Sequence, residues 1–514
     1  MIYSIKSLSL KDYLNINCYL FRVCLTLGYK LILITKVKIS FFIFFSFMVL
    51  FGSSQKLNLS FSQHVPYSKD YKPYSCISYN SNNILFQKKI NSTSCDLKVN
   101  IFDSHLDDVN HFNVLLKDEN FLGIRHIFDE IYLFTSFNNG VETILKCRVL
   151  DITSNFQSPK NLFSEKNKAG YPSNYILGEK TFENKFHFLV ELPYQNGRQE
   201  DIRTITIDNK LNIVNEVYNK LDLLFTSKRD NKILLSNNGV VYMLKKFWKK
   251  GNNFYIYKLG QDIISEVQIK LNNRKIAALD YFFNSKNELV ISGFYSSPIR
   301  FNFEGFFLLR YDEDLQLVHK NQYSLTENIV KAFKSSKEIK ESGFGLDRFI
   351  ITDFSLDSIG NYYLLSENIS KTTIKEQTYW VSNGFFVVKF NKNGNFIWGS
   401  PVSLNQKHKD LSFIGTFSVN SYNFKKYFYN DLQNLSLRKG VPAEYGILNY
   451  CGTKHVEFTL AGVAQEYINS INFPGKDSEK YAFFPNQLNP NSKGPSYFAV
   501  LNEKSTNIML AIAK

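Results

Sequence analysis

The chain has 514 residues, 44% of them apolar, and a formal net charge of +15. That composition excludes a mostly disordered chain, and 12 Pro without a Gly-X-Y period exclude collagen-like classes. Such a length calls for several domains or for one architecture that grows by repetition. Aromatics reach 16%, with 47 Phe and 31 Tyr, and these side chains favour pleated, half-buried surfaces.

In chain order, the first feature is an apolar run of thirteen, Ile39–Phe51, preceded by Lys36 and Lys38 and followed by Gly52, Ser53 and Ser54. A basic flank, a short apolar core and small residues are the layout of a secretory signal, and the run is shorter than the ~20 residues of a membrane span. Cleavage is expected after Ser54. The preceding stretch Leu25–Ile34 leaves a two-segment membrane anchor as the alternative, so residues 1–54 are assigned to a signal peptide or an N-terminal membrane segment. The expected location is secreted, periplasmic or cell-surface. Cys76 and Cys95 then fall in an oxidising compartment, near the first hairpin, and are the candidate disulfide. No CxxC spacing suggests zinc.

Internal similarity governs the rest of the chain. Ile276–Gly293, Ile350–Glu367 and Tyr445–Gly462 each read as a strand, a tight turn and a second strand, here termed the inner hairpin. Arg203–Asn215, Phe307–His319, Phe386–Trp398 and Tyr497–Met509 each read as a strand, a polar turn and another strand, the outer hairpin. Weaker copies place inner hairpins near 74–90, 124–137, 176–192 and 222–237, with outer hairpins starting near Lys98, Lys146 and Tyr255. Four antiparallel strands recurring at about 50 residues predict an all-β fold, a β-propeller of four-stranded blades over residues 55–514. Seven blades are expected, with six or eight as alternatives. Residues 403–444 exceed the period and read as a long insertion or a degenerate further blade through Leu411–Val419. The cluster Lys245–Gly251 (KKFWKKG) reads as a solvated hairpin connection, so no nucleic-acid partner is expected.

Gly384–Trp398 (GFFVVKFNKNGNFIW) resembles the closing half of the bacterial secreted β-propeller repeat known as SBBP. Asn287–Val318 resembles one such repeat without its first strand, and Phe458–Phe473 resembles its middle. The glycine usual in the outer turn is present at Gly394 and replaced by Leu315 and Ser505. The resemblance implies a secreted or envelope protein, and it implies no fixed activity because the family is defined by its scaffold.

Catalytic signatures are absent: no GxSxG, no phosphate loop and no HExxH occur. The Asp312–Asp314 and Asn391–Asn395 turns lack the closing carboxylate of a calcium loop. No catalytic residue, metal ligand or cofactor is therefore assigned. Glu191, Asp280, Asp353 and Glu367, on or beside inner strands, are the carboxylates able to converge in a central channel. A glycosidase would need two of them at a set separation.

The expected function is a non-enzymatic binding or interaction scaffold with a protein or glycan partner. The alternative is a propeller hydrolase or lyase acting on extracellular glycans. Strands reverse at every turn, so first-to-second and third-to-fourth turns share one rim, and these are short. The long connections Gln322–Arg348, Asn368–Asn383, Ser403–Ala443 and Val463–Ser496 share the other rim near blades five to seven. Long loops on rigid scaffolds carry function. Their aromatics, expected to be exposed, are the candidate binding residues: Tyr379, Trp380, Tyr427, Tyr429, Tyr481 and Phe483.

Overall fold

The structure is a computed structural model that describes residues 59–513 with internal breaks, the longest at 431–452, 470–480 and 484–495. The N-terminal apolar segment and Cys95 lie outside the described residues. No helix among the described residues is long and apolar enough to cross a membrane.

Two short strands, β1 (Leu59–Phe61) and β2 (Val65–Pro66), lead into the first blade, β3 (Tyr71–Tyr79), β4 (Asn82–Lys89), β5 (Leu97–Phe102) and β6 (Asp108–Val114). Blade two comprises β7 (Glu119–Ile127), β8 (Glu130–Asn138) and β9 (Glu142–Asp151), with its outer strand split into β10 (Asn155–Phe156) and β11 (Lys160–Lys166). Blade three is β12 (Asn174–Leu177), β13 (Lys185–Glu191), β14 (Gln199–Asp208) and β15 (Ile213–Leu224). Blade four is β16 (Asn231–Leu235), β17 (Val241–Phe247), β18 (Asn253–Leu259) and β19 (Ile263–Ile269). Blade five is β20 (Lys275–Phe283), β21 (Leu289–Ser296), β22 (Phe303–Tyr311) and β23 (Leu317–Ser324).

Helices α1 (Glu327–Phe333) and α2 (Ser336–Ser342) precede blade six, which is β24 (Phe349–Leu356), β25 (Tyr362–Ile374), β26 (Gln377–Phe390) and β27 (Phe396–His408). Blade seven is β28 (Thr416–Asn420), β29 (Lys425–Asn430), β30 (Thr453–Phe458) and β31 (Ala464–Asn469). These seven blades are each made of consecutive strands. A further sheet closes the ring by joining β32 (Tyr481–Phe483), β33 (Ser496–Asn502) and β34 (Asn507–Ala513) to β1 and β2.

The burial pattern explains the layering. Second strands are covered on both faces, and β21 is buried at every position. Some other strands alternate, as β14 does with its pattern of buried and half-buried residues, whereas third strands such as β22 and β26 are largely buried in the body of the blade. The apolar clusters lie between neighbouring sheets rather than within one. Leu85 and Phe102 of blade one pack with Tyr497, Ile508 and Leu510 of the closing sheet. Phe134 of blade two packs with Phe186 of blade three, and Phe306 of blade five with Phe390 of blade six. Each sheet thus needs both neighbours to bury its faces, and closure removes most free edges.

The tight-turn rim has one recurring construction. Asp103, Asp208, Asn284, Asp312, Asp357 and Asn391 each open a turn, and each Oδ1 accepts the backbone N–H four residues on, at 2.8–3.0 Å. The fourth turn residue sits at positive φ: Leu106, Leu211, Asn287, Leu315, Gly360 and Gly394, between 59° and 90°. Only glycine takes that conformation freely. Leu315 takes it with its side chain buried in the core between blades four and five, which offsets the backbone strain. No calcium ligation is needed to explain the Asp312 and Asn391 turns.

The inner hairpins near 74–90, 124–137, 176–192, 276–293 and 350–367 are observed. The hairpin expected near 222–237 is displaced to β16–β17, because residues 222–224 belong to the long β15. Within 403–444, residues up to His408 continue β27, and Thr416–Asn420 and Lys425–Asn430 form β28 and β29. The second half of the expected hairpin at 445–462 is β30, which pairs with β29 and β31 rather than entering the sheet of 497–509.

Candidate functional site

The long-loop rim near blades five to seven is built rather than loose. In the connection between blades five and six, Ile329 and Val330 of α1 are buried in the inter-blade core, and Phe333 meets Phe349 at 5.0 Å. Ser335 and Glu338 form a reciprocal capping box at the start of α2. Phe303 and Leu346 exchange backbone hydrogen bonds of 2.6 and 2.9 Å, which staple the end of the connection to blade five.

Asn368–Asn383, expected as a loop, is a β-ribbon. Strands β25 and β26 run on past the blade, pairing from Ile369↔Ser382 to Ile374↔Gln377, and β27 follows them as far as Trp380↔His408. Neighbouring residues on a strand point to opposite faces. Trp380 carries the Lys371 ammonium 4.6 Å from its ring, and Tyr379 carries that of Lys407 at 4.3 Å. Both rings are half-exposed. The ribbon therefore presents one cation–aromatic pair on each face.

The remaining aromatic candidates part company. Tyr427 and Tyr429 are not exposed: they are 0% and 3% accessible, packed against Phe385 at 6.1 and 6.3 Å. The physical reason is strand alternation, which turns 427 and 429 together toward blade six. Tyr481 and Phe483 fall on β32, and their side chains lie outside the described residues. The Cys76 thiol belongs to blade one, and its expected partner Cys95 lies outside the described residues. The Cys76 thiol is buried between blade one and the closing sheet, where burial holds it in the protonated form.

The inner-strand carboxylates also divide. First strands of successive blades meet around the axis, β12 with β7 and β16, and β24 with β20 and β28. There a cavity of about 220 Å³ is lined by residues that include Glu179, Asp280, Tyr281 and Asp353. Asp280 and Asp353 are thus brought together, from blades five and six, with Glu179 from the turn after β12. Burial pushes the Asp280 carboxyl up to about 6; the Tyr281 N–H and Lys232 pull it down, while Asp353 and Glu179 raise it further. Asp353 accepts hydrogen bonds from Ser355 (2.7 Å) and, across the blade junction, from Ser418 (2.8 Å). Glu179 was not singled out in the sequence because it follows β12 in a turn and carries no strand periodicity.

Glu191 and Glu367 lie elsewhere, at the long-loop ends of the blades. Asn231 Nδ2 donates to Glu191 (2.7 Å) and to Glu200 (2.9 Å), and Lys245 Nζ lies 2.6 Å from Glu200 with both side chains 1% accessible. Lys245 is therefore not part of a solvated patch; it crosses a blade junction to neutralise a buried carboxylate. Burial raises the Glu191 carboxyl despite hydrogen bonds from Asn174 and Asn231. Glu367 is fully buried and pushed up to about 7 by desolvation, although Thr416 N–H and the Thr416 and Ser382 hydroxyls donate to it at 3.1–3.3 Å. Among the described residues no group of three or more His, Cys, Asp or Glu is placed to hold a metal ion.

No family model matches the chain. It is 22% identical over 253 residues to "Protein Ycf2" of Physcomitrium patens, a match covering 43% of this chain and 11% of that much longer protein. Among solved structures it is similar to the WD40 domain of SCAP from fission yeast, at 8% identity, 89% and 98% coverage of the two chains and a TM-score of 0.41. The polysaccharide lyase Uly1 is 9% identical with 90% and 93% coverage and a TM-score of 0.35. Prolyl oligopeptidase B from Galerina marginata is 9% identical, with 87% and 56% coverage and a TM-score of 0.36.

Proposed function

We propose that the protein is a non-enzymatic binding propeller, an SBBP-like bacterial scaffold of the cell envelope or the exterior, that engages a protein or glycan partner through the long-loop rim near blades five to seven. The observation that carries this reading is the blade-six ribbon, which extends past the sheet and holds Trp380 and Tyr379 half-exposed beneath lysines. Aromatic faces stack on sugars and anchor protein interfaces, and adjacent ammonium groups favour acidic partners. Helix α1 packs on β26 and β27 in the body of the same blade. Joining Ser370 to Val381 by a two-residue turn is expected to leave the circular-dichroism spectrum unchanged and to abolish binding on a glycan and envelope-protein array. Cross-links from a partner that map to the tight-turn rim overturn the reading. Export is tested by N-terminal sequencing of protein recovered from the envelope or medium; an intact Met1 on cytosolic protein contradicts it.

One observation favours the second reading, a glycan hydrolase or lyase: Asp280 and Asp353 share a cavity. Turnover of an extracellular polysaccharide that is lost in Asp353→Asn would establish it.

A further inference from the structure

The axial cavity has a composition that goes beyond a scaffold's needs. Its charged lining converges from three blades: Glu179 from blade three, Asp280 from blade five and Asp353 from blade six, with Lys180 the basic residue in the same lining. Its walls are aromatic, through Tyr281, Phe283 and Phe354. The Tyr281 ring already takes a cation, with the Lys232 ammonium 5.4 Å from its centroid. The Tyr281 hydroxyl is buried and has no hydrogen-bond partner among the described residues. Carboxylates spread around an aromatic wall recognise an organic cation: charge pairing fixes the ammonium, ring faces hold its alkyl part, and a lone hydroxyl accepts an N–H. The volume of about 220 Å³ is room for several waters. It suits a short alkylamine or a single basic side chain.

We infer that the axial cavity is a binding site for a small organic ammonium, held by Asp280, Asp353 and Glu179 against the Tyr281 ring. Burial holds the Asp280 proton more tightly than usual, Asp353 and Glu179 add to that hold, and an entering cation offsets their part. The site is separate from the long-loop rim and does not depend on the partner bound there.

The ammonium is presented either by a free amine or by a lysine side chain of another protein, and two probes separate these sources. Titration calorimetry of the full chain at pH 8 and low salt is run with 1,4-diaminobutane, with Nα-acetyl-lysine amide and with butyrate. Saturable binding of at least one amine probe, and none of butyrate, is expected. Preference for the diamine assigns a free amine, and preference for the lysine amide assigns a protein side chain. The double variant Asp280→Asn, Asp353→Asn is expected to weaken binding at least tenfold, and Tyr281→Leu several-fold. Should the double variant fail to fold, Glu179→Gln, at an exposed turn position, replaces it and is expected to weaken binding about threefold. No saturable amine binding by the native protein, equal binding of butyrate, or undiminished affinity in folded variants overturns the inference.

Discussion

The two rims of the propeller are built on opposite plans. The tight-turn rim repeats one device, a side-chain Asp or Asn oxygen closing a five-residue turn, at Asp103, Asp208, Asn284, Asp312, Asp357 and Asn391. The long-loop rim, among the described residues, is closed by different charge sets at different blades. Blade two closes on Glu119 held bidentate by Arg148 at 2.7 and 2.9 Å. The junction of blades three and four closes on Lys245–Glu200, and that of blades six and seven on an uncharged set around Glu367. A turn device costs little to keep and little to lose, because its partners can return to water. A buried ion or carboxyl has no such retreat, so the irregular rim should be where single substitutions act most strongly.

The largest effect is therefore expected at Lys245. Lys245→Met leaves Glu200 buried without its cation, with the Asn231 amide still donating to it, which costs about 3–5 kcal/mol. Denaturant unfolding measures it, and adding Glu200→Leu should restore most of the loss. A loss smaller than that of Asp312→Ala would erase the contrast between the rims.

Next comes Glu367. Its carboxyl holds a proton more tightly in the folded chain, at about 7 against an ordinary 4.5. The folded state is thus favoured fully below pH ~4.5, loses that advantage as the pH rises to ~7, and changes no further above it. Asp280 acts in the same direction, between 3.8 and about 6. Glu119 acts oppositely: despite desolvation, Arg148 and Thr135 draw its carboxyl below the ordinary value, so its contribution is lost in acid. Glu367→Gln removes the Glu367 part. Its amide oxygen still accepts from Thr416 N–H while its NH₂ donates to the two hydroxyls. The variant should gain up to about 3 kcal/mol at pH 8 and little at pH 4. Equal effects at both pH values would show that the carboxyl ionises freely in the fold.

A smaller effect tests the regular rim. Asp312→Ala removes the acceptor for the Asp314 and Gln316 N–H groups and should cost about 1 kcal/mol, since both donors reach water. Leu315→Gly relieves a backbone held at φ 61° and loses a buried side chain worth about 1.5–3 kcal/mol, so it should destabilise on balance.

The same contrast explains what the sequence revealed. The tight-turn rim was legible because a turn is a local event: Asp357–Gly360 or Asn391–Gly394 shows its polar opener, its positive-φ residue and its flanking strands within a few positions. The long-loop rim is fixed by partners far apart in the chain, Glu200 with Lys245 and Glu367 with Thr416, and no local pattern marks them. Strand β29 shows the cost: Tyr427 and Tyr429 read as rim aromatics because the strand and blade that bury them could not be told from an insertion. The cavity was half visible. Asp280 and Asp353 stand at like positions of two inner hairpins, whereas Glu179 reaches it from a turn that carries no period.

The smallest effect on stability, and the largest on binding, is expected at the ribbon. Trp380 and Lys371 face each other across β25 and β26 beyond the body of blade six, where both remain in contact with water. An exposed cation–aromatic pair contributes about 0.5–1 kcal/mol. Trp380→Ala should therefore shift the unfolding midpoint scarcely more than a surface change does, while every inter-blade core stays intact. If the ribbon is the binding element, the same substitution removes its largest exposed ring and should weaken a partner by tenfold or more, as loss of an interface anchor does. Lys371→Ala should weaken an acidic partner less and reduce the salt dependence of its association, because a rim charge acts mainly through steering. A Trp380→Ala protein that binds normally moves the interface off the ribbon. One that unfolds shows that the ribbon belongs to the scaffold after all.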